Sequence, residues 1–117
     1  MIRTRLALVA LAAGALVVTA SATAATPTLN AVDGPGFTIT LKKSGKKVSS
    51  LKAGKYKIVV KDLSNIHNFH LTGPGLNKKT GVGAQGTFTW TVTLKKGTYK
   101  YVCDPHVAVM KGSFKVT

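Results

Sequence analysis

From Thr87 to Leu94 the chain reads TFTWTVTL, a strict alternation of threonine with Phe88, Trp90, Val92 and Leu94. Successive side chains on a strand point to opposite faces, so this segment can bury one face and leave the other in water. On a helix the same residues would be scattered around the whole cylinder. The period recurs in FTITLKK (Phe37, Ile39, Leu41), KYKIVVK (Tyr56, Ile58, Val60), TYKYVC (Tyr99, Tyr101, Cys103) and SFKVT (Phe114, Val116). These runs are rich in β-branched and aromatic residues, and SGKK, KAGK, GPG and KKGT separate them as turns. Nothing beyond the first 25 or so residues carries a long helical period. The expected fold is therefore all-β: half-buried antiparallel strands in a two-sheet Greek-key β-sandwich, with Trp90 and the tyrosines in its core. LKAGKYKIVVKD, from Leu51, is echoed by LKKGTYKYVCDP, from Leu94, as two halves of a sandwich would supply.

A different kind of sequence precedes the strands. Arg3 and Arg5 lead into the apolar run Leu6 to Val18, and the small-residue tract TASATAAT follows. That order marks a secretory signal peptide, with Ala22-Thr23-Ala24 as the cleavage pattern and Ala20-Ser21-Ala22 competing. The run is shorter than the roughly 20 residues a membrane-spanning helix needs. Residues 1–24 thus read as a signal peptide, 25–36 as a flexible N-terminal segment and 37–117 as the folded domain. The expected location is extracytoplasmic, either secreted or in the periplasm or cell envelope.

Beyond Arg3 and Arg5 the basic residues are 15 lysines, set against Asp33, Asp62 and Asp104 alone. Such a surface steers anionic partners: an acidic protein, or the anionic polymers and lipids of a cell envelope. The lysines are spread over turns and strand faces. With no arginine for bidentate base or phosphate contacts, specific nucleic-acid binding is not expected.

Against that background CDPHVAVMKG, Cys103 to Gly112, stands out. A lone thiol in an exported chain cannot form an internal disulfide; it is either buried or bound to a metal. His106 and Met110 follow it closely. Thiolate, imidazole and thioether are the soft donors that suit copper, and Pro105 stiffens the turn carrying the first two. A second imidazole must come from SNIHNFHLTGPG, which holds the other two histidines, His67 and His70. Read with period two, HNFHL puts His67, Phe69 and Leu71 on one face and Asn68 and His70 on the other. Only one of the two histidines can then easily join Cys103.

Two pieces, HNFHLTGPG (His67 to Gly75) and YVCDPHVAVMKGSFKVT (Tyr101 to Thr117), make the chain resemble the plastocyanin-like cupredoxins, the small blue-copper proteins. The resemblance implies one type 1 copper ion in an eight-stranded sandwich that shuttles single electrons between redox partners. It assigns His67, Cys103, His106 and Met110 as ligands, with His70 as the substitute for His67. Asn68 would tie the two ligand loops together, and Asp104 and Pro105 would flank the cysteine. The loop is a hybrid, with the Cys103–His106 spacing of plastocyanin and the His106–Met110 spacing of azurin.

The expected function is single-electron transfer by a monomer, with an acidic redox partner docking on an apolar patch of Val107, Ala108 and Val109 joined by Pro74 and Leu76. Two other readings remain open from sequence: an extracytoplasmic copper carrier, and a copper-free structural or adhesive sandwich in which Cys103 only fills the core. An enzyme is not expected. Zinc on Cys103, His106 and His67 would leave a position for water, but the single acid nearby, Asp104, is expected to point outward from its turn.

Overall fold

A computed structural model describes residues 10–18 and 24–117. Of the expected signal peptide, residues 1–9 and 19–23 lie outside the described residues. Among the described residues no helix is long and apolar enough to cross a membrane.

Among the described residues, ten strands form two mixed sheets. The first is ordered β3 (Lys46–Lys47), β2 (Ile39–Lys43), β1 (Thr28–Asp33), β5 (Gly54–Asp62) and β8 (Gly86–Leu94). The second is ordered β4 (Ser50–Leu51), β10 (Lys111–Val116), β9 (Gly97–Val102), β6 (His70–Gly73) and β7 (Leu76–Lys79). The purely antiparallel expectation needs correction, because β1 runs parallel to β5 and β4 parallel to β10. The domain also begins before residue 37. Thr28–Asp33 is a full strand between β2 and β5 that buries Leu29 and Ala31, so these residues are built into the sheet rather than hanging from it.

The alternation predicts the core well. Ile58, Val60, Val92 and Leu94 from one sheet meet Leu71, Tyr99, Tyr101, Phe114 and Val116 from the other. Tyr99 stacks on Phe114 at 5.4 Å between ring centroids, and Phe69 on Tyr101 at 5.6 Å. Pairs of this kind add about 0.5–1.5 kcal/mol each beyond their buried area. Tyr101 lies across Gly112 on β10, where any side chain would collide with its ring. Trp90 is less buried than expected. It sits on edge strand β8, packed against the core from one side, with Lys78 Nζ 5.8 Å from its ring.

The internal echo is structural. Its two copies become β5 and β9, one in each sheet, entered through Gly54 and Gly97 at φ +149° and +143°, which only glycine adopts readily. In both copies the tyrosine hydroxyl bonds backbone four residues upstream. Tyr56 donates to the Lys52 carbonyl at 2.7 Å, and the Lys95 N–H donates to Tyr99 at 2.9 Å.

Where β1 and β5 end side by side, Asp33 pairs in register with Asp62, and both are fully buried. Asp62 accepts the Ser64 N–H at 3.0 Å, while neither Asp33 oxygen has a partner. Two adjacent carboxylates in a dry interior cannot both remain ionised. Burial, and then the adjoining Asp62 carboxylate, push Asp33 up to about 7. The folded chain therefore retains a proton that the unfolded chain releases above its ordinary value of 3.8. The stability tied to this proton is complete below that value and is lost as pH rises toward 7. Asp33→Asn is expected to raise stability at pH 7–8 by on the order of 2 kcal/mol, with the gain vanishing near pH 4. Denaturant unfolding across that range checks it.

Candidate metal centre

The cluster is assembled by strand register. β6 pairs antiparallel with β9, His70 opposite Val102, so the residues just before β6 meet those just after β9. Extending that register sets Asn68 opposite Asp104, and their bonds follow it. The Asp104 N–H donates to Asn68 Oδ1 at 2.8 Å, and Asn68 Nδ2 donates to Asp104 Oδ2 at 2.7 Å and to the Thr80 carbonyl at 3.2 Å. β9 and β10 pair Val102 with Lys111, which sets Met110 opposite Cys103; the Cys103 N–H donates to the Met110 carbonyl at 3.0 Å. Between them Asp104–His106 form one turn of 3-10 helix with Pro105 in its first turn, where a missing N–H costs nothing. The His106 carbonyl accepts the N–H groups of Val109 and Met110, at 3.1 and 2.8 Å, and closes the loop.

Three donor atoms converge above this frame. His67 Nδ1 lies 3.0 Å from His106 Nδ1 and 3.6 Å from Cys103 Sγ, and His106 Nδ1 lies 3.5 Å from the same sulfur. A point in the plane of that triangle is about 2 Å from all three atoms, the length of a bond between imidazole nitrogen and a metal such as zinc. The donor set therefore fits a metal ion in both chemistry and size. His67 and Cys103 are fully buried and His106 partly so. The Asn68 N–H points at Cys103 Sγ from 3.4 Å. Met110 is fully buried beside Cys103 on the facing strand end.

His70 is not in the cluster. Its Nδ1 pairs with Asp104 Oδ1 at 2.8 Å and its Nε2 with Asn77 Oδ1 at 2.7 Å. Burial disfavours the charged ring, yet the bonds to Asp104 and Asn77 outweigh it and hold His70 above the ordinary histidine range. Burial likewise works against the Asp104 carboxylate, but the bonds from His70 and Asn68 hold it below its ordinary value. Asp104 thus turns back onto the neighbouring loop, contrary to the outward orientation expected from sequence. The period-two reading of HNFHL also fails at its start. β6 begins only at His70, and His67, Asn68 and Phe69 are all buried in succession.

Three contributors were not singled out from sequence. Thr80 brackets the first-histidine loop: its Oγ1 accepts the Phe69 N–H at 2.9 Å, and its own N–H donates to the Phe69 carbonyl at 3.0 Å. The alternation places Phe37 on the inward face of a strand, but β2 starts at Ile39 and Phe37 is 58% exposed. Its ring stands edge-on to both His67 and His106, at 5.3 and 4.9 Å. Gly34, at φ +72°, passes so close to His67 that a Cβ would sit 3.2 Å from its ring and 3.0 Å from Ser64. The DGPGF segment that precedes β2 held the signal, since two glycines around a proline mark a sharp turn that must deliver Phe37 somewhere specific. Pro74 and Leu76 do not join the His106 end. The Pro74 carbonyl accepts the Tyr99 hydroxyl at 2.8 Å, at the opposite pole where β6 turns into β7. Ile66, half-exposed beside His67, stands at the triad end instead.

The model of the family described as copper binding proteins, plastocyanin/azurin family, matches residues 17–117. No curated protein matches the chain. Among solved structures, the copper protein rusticyanin is similar over 81% of this chain and 80% of its own, at 20% identity and a TM-score of 0.61. Rusticyanin from Thiobacillus ferrooxidans matches over 81% and 79%, at 23% identity and a TM-score of 0.56. Reduced auracyanin from the photosynthetic bacterium Roseiflexus castenholzii matches over 80% and 99%, at 22% identity and a TM-score of 0.56. These likenesses establish the cupredoxin-like fold.

Asn68→Ala removes three side-chain hydrogen bonds and strands the Asp104 N–H and the buried Thr80 carbonyl. It is expected to cost about 2–4 kcal/mol in unfolding free energy. Thr80→Val, which removes one acceptor, should cost about 1–2 kcal/mol. Urea denaturation of the metal-free protein measures both.

Proposed function

This chain belongs to the plastocyanin/azurin family of copper-binding proteins, and on that premise we propose that it is an extracytoplasmic, monomeric carrier of single electrons. It would hold one type 1 copper ion on His67, Cys103 and His106, with Met110 as the axial ligand. The observation that carries this reading is the triangle of two Nδ1 atoms and one Sγ atom, with sides of 3.0, 3.5 and 3.6 Å. Copper held there would supply a one-electron couple.

The chain's own residues keep that geometry fixed. His67 is wedged between Gly34 and Phe37, and Cys103 is held by the loop closure at Met110 and by the Asn68 N–H. Donors around the sulfur lower its electron density and so tune the potential. A rigid, dry pocket suits transfer with the metal retained. A carrier that hands its metal on would need an opening, and here two of the three donors are fully buried.

His106 is the donor nearest water. Around it Phe37, Ile66, Val107 and Val109 are each about half exposed or more. A partner seated on this apolar rim would meet the site across a single imidazole ring. Transient electron-transfer contacts need only small interfaces, and the excess of lysine would steer a redox protein acidic at its docking surface.

Copper(II) titration followed by absorption and EPR tests the assignment. Wild type and His70→Ala are expected to develop an intense thiolate-to-copper band. His67→Ala, His106→Ala and Cys103→Ala should lose it, and Met110→Ala should keep it with altered EPR parameters. Binding by Cys103→Ala with an unchanged spectrum would sink the reading.

A further inference from the structure

At the pole opposite the triad, the β2–β3 hairpin and the β4–β5 connection enclose an open groove of about 600 Å³. Lys43, Lys46, Lys47, Lys52 and Lys55 line it, and no acidic residue does. All three acids of the chain lie at the other end: Asp33 and Asp62 where β1 and β5 finish, Asp104 beside the triad. The domain is therefore electrically lopsided along its strands.

The hairpin register sharpens the asymmetry. Lys42 stands directly opposite Lys47, and Lys43 opposite Lys46. Like charges facing each other across an antiparallel pair are destabilising, and no carboxylate is at hand to relieve them. The tight turn through Ser44 and Gly45, at φ +49° and +78°, holds them in that pairing. Such an arrangement is accounted for by an anionic surface laid against it.

Chain path indicates which surface. Pro27 lines the same groove, its carbonyl accepting the Lys57 N–H at 2.9 Å. The chain therefore enters the fold at the lysine pole, and the apolar run Leu6 to Val18 lies upstream of that point in the sequence. A membrane that receives that segment during export is the first anionic plane this pole meets. We propose that the lysine groove docks the domain on an anionic lipid surface, with the triad end turned away from it. Docking of this kind needs no metal and stands independently of the electron-transfer reading.

The test is co-sedimentation of the full chain with vesicles of phosphatidylcholine, with and without phosphatidylglycerol. A retained leader would bind both kinds of vesicle, so the difference between them is the readout. Each lysine near an anionic surface strengthens partitioning about fivefold. The triple variant Lys43→Gln, Lys46→Gln, Lys47→Gln is expected to lose on the order of a hundredfold on the anionic vesicles. Lys61→Gln, Lys79→Gln, Lys111→Gln, at the triad end, should lose less than tenfold. Wild-type binding should also fade as salt shortens the screening length toward about 3 Å. The groove triple should melt no lower than wild type, because it removes repulsion, and a melting curve verifies that it folds. Equal losses in the two triples, no preference for the anionic vesicles, or groove-dependent binding of soluble polyphosphate without vesicle binding would each overturn the proposal.

Discussion

One side chain joins the two halves of the metal centre. The Asn68 carboxamide uses its oxygen and its nitrogen to bind Asp104 on the cysteine loop and Thr80 on a third segment, while its backbone N–H reaches the Cys103 sulfur. Two loops that are distant in sequence thereby become one rigid piece. In low dielectric each of these bonds is strong and each unpaired group is costly, so the clasp is close to all-or-none. The three donor atoms have their positions because it is closed.

The sandwich makes the clasp possible through register. An antiparallel pair conserves the sum of facing residue numbers, so fixing His70 against Val102 also fixes Asn68 against Asp104 beyond the strand ends. The same rule carries β9 and β10 onward to Cys103 and Met110. A slip by one residue would turn Tyr99 and Tyr101 out of the core, so the hydrophobic interior enforces the alignment of the polar site. Core packing and metal geometry are here a single constraint.

Much of this was legible in the sequence. Period two located β5, β8, β9 and β10 and their inward residues, and the donor types in CDPHVAVMKG singled out Cys103, His106 and Met110. What was not legible depended on partners remote along the chain. Phe37 alternates properly with Ile39 and Leu41, yet the turn at Gly34 lifts it out of the strand and onto the histidines. Thr80 offers no pattern at all, since its role arises only once Phe69 lies beside it. Asn68 was named by resemblance; its bonding to Asp104 and Thr80 follows from a register that no local signal encodes. The parallel pairings were hidden for a similar reason, because parallel and antiparallel strands share one alternation.

The loop from Cys103 to Met110 has a consequence for how such proteins can diversify. Its ends are pinned by the Cys103–Met110 backbone bond and its interior closes on the His106 carbonyl, so its polar links to the rest of the fold run through three side chains, those of Cys103, Asp104 and His106, and the Asp104 N–H. It behaves as an interchangeable cassette plugged into a hairpin. Residues added or removed between His106 and Met110 would bulge into solvent at the rim and leave the strands beneath in place. Loop length is thus a dial that evolution, or an engineer, can turn to reshape the electronic environment of the sulfur while the scaffold stays the same.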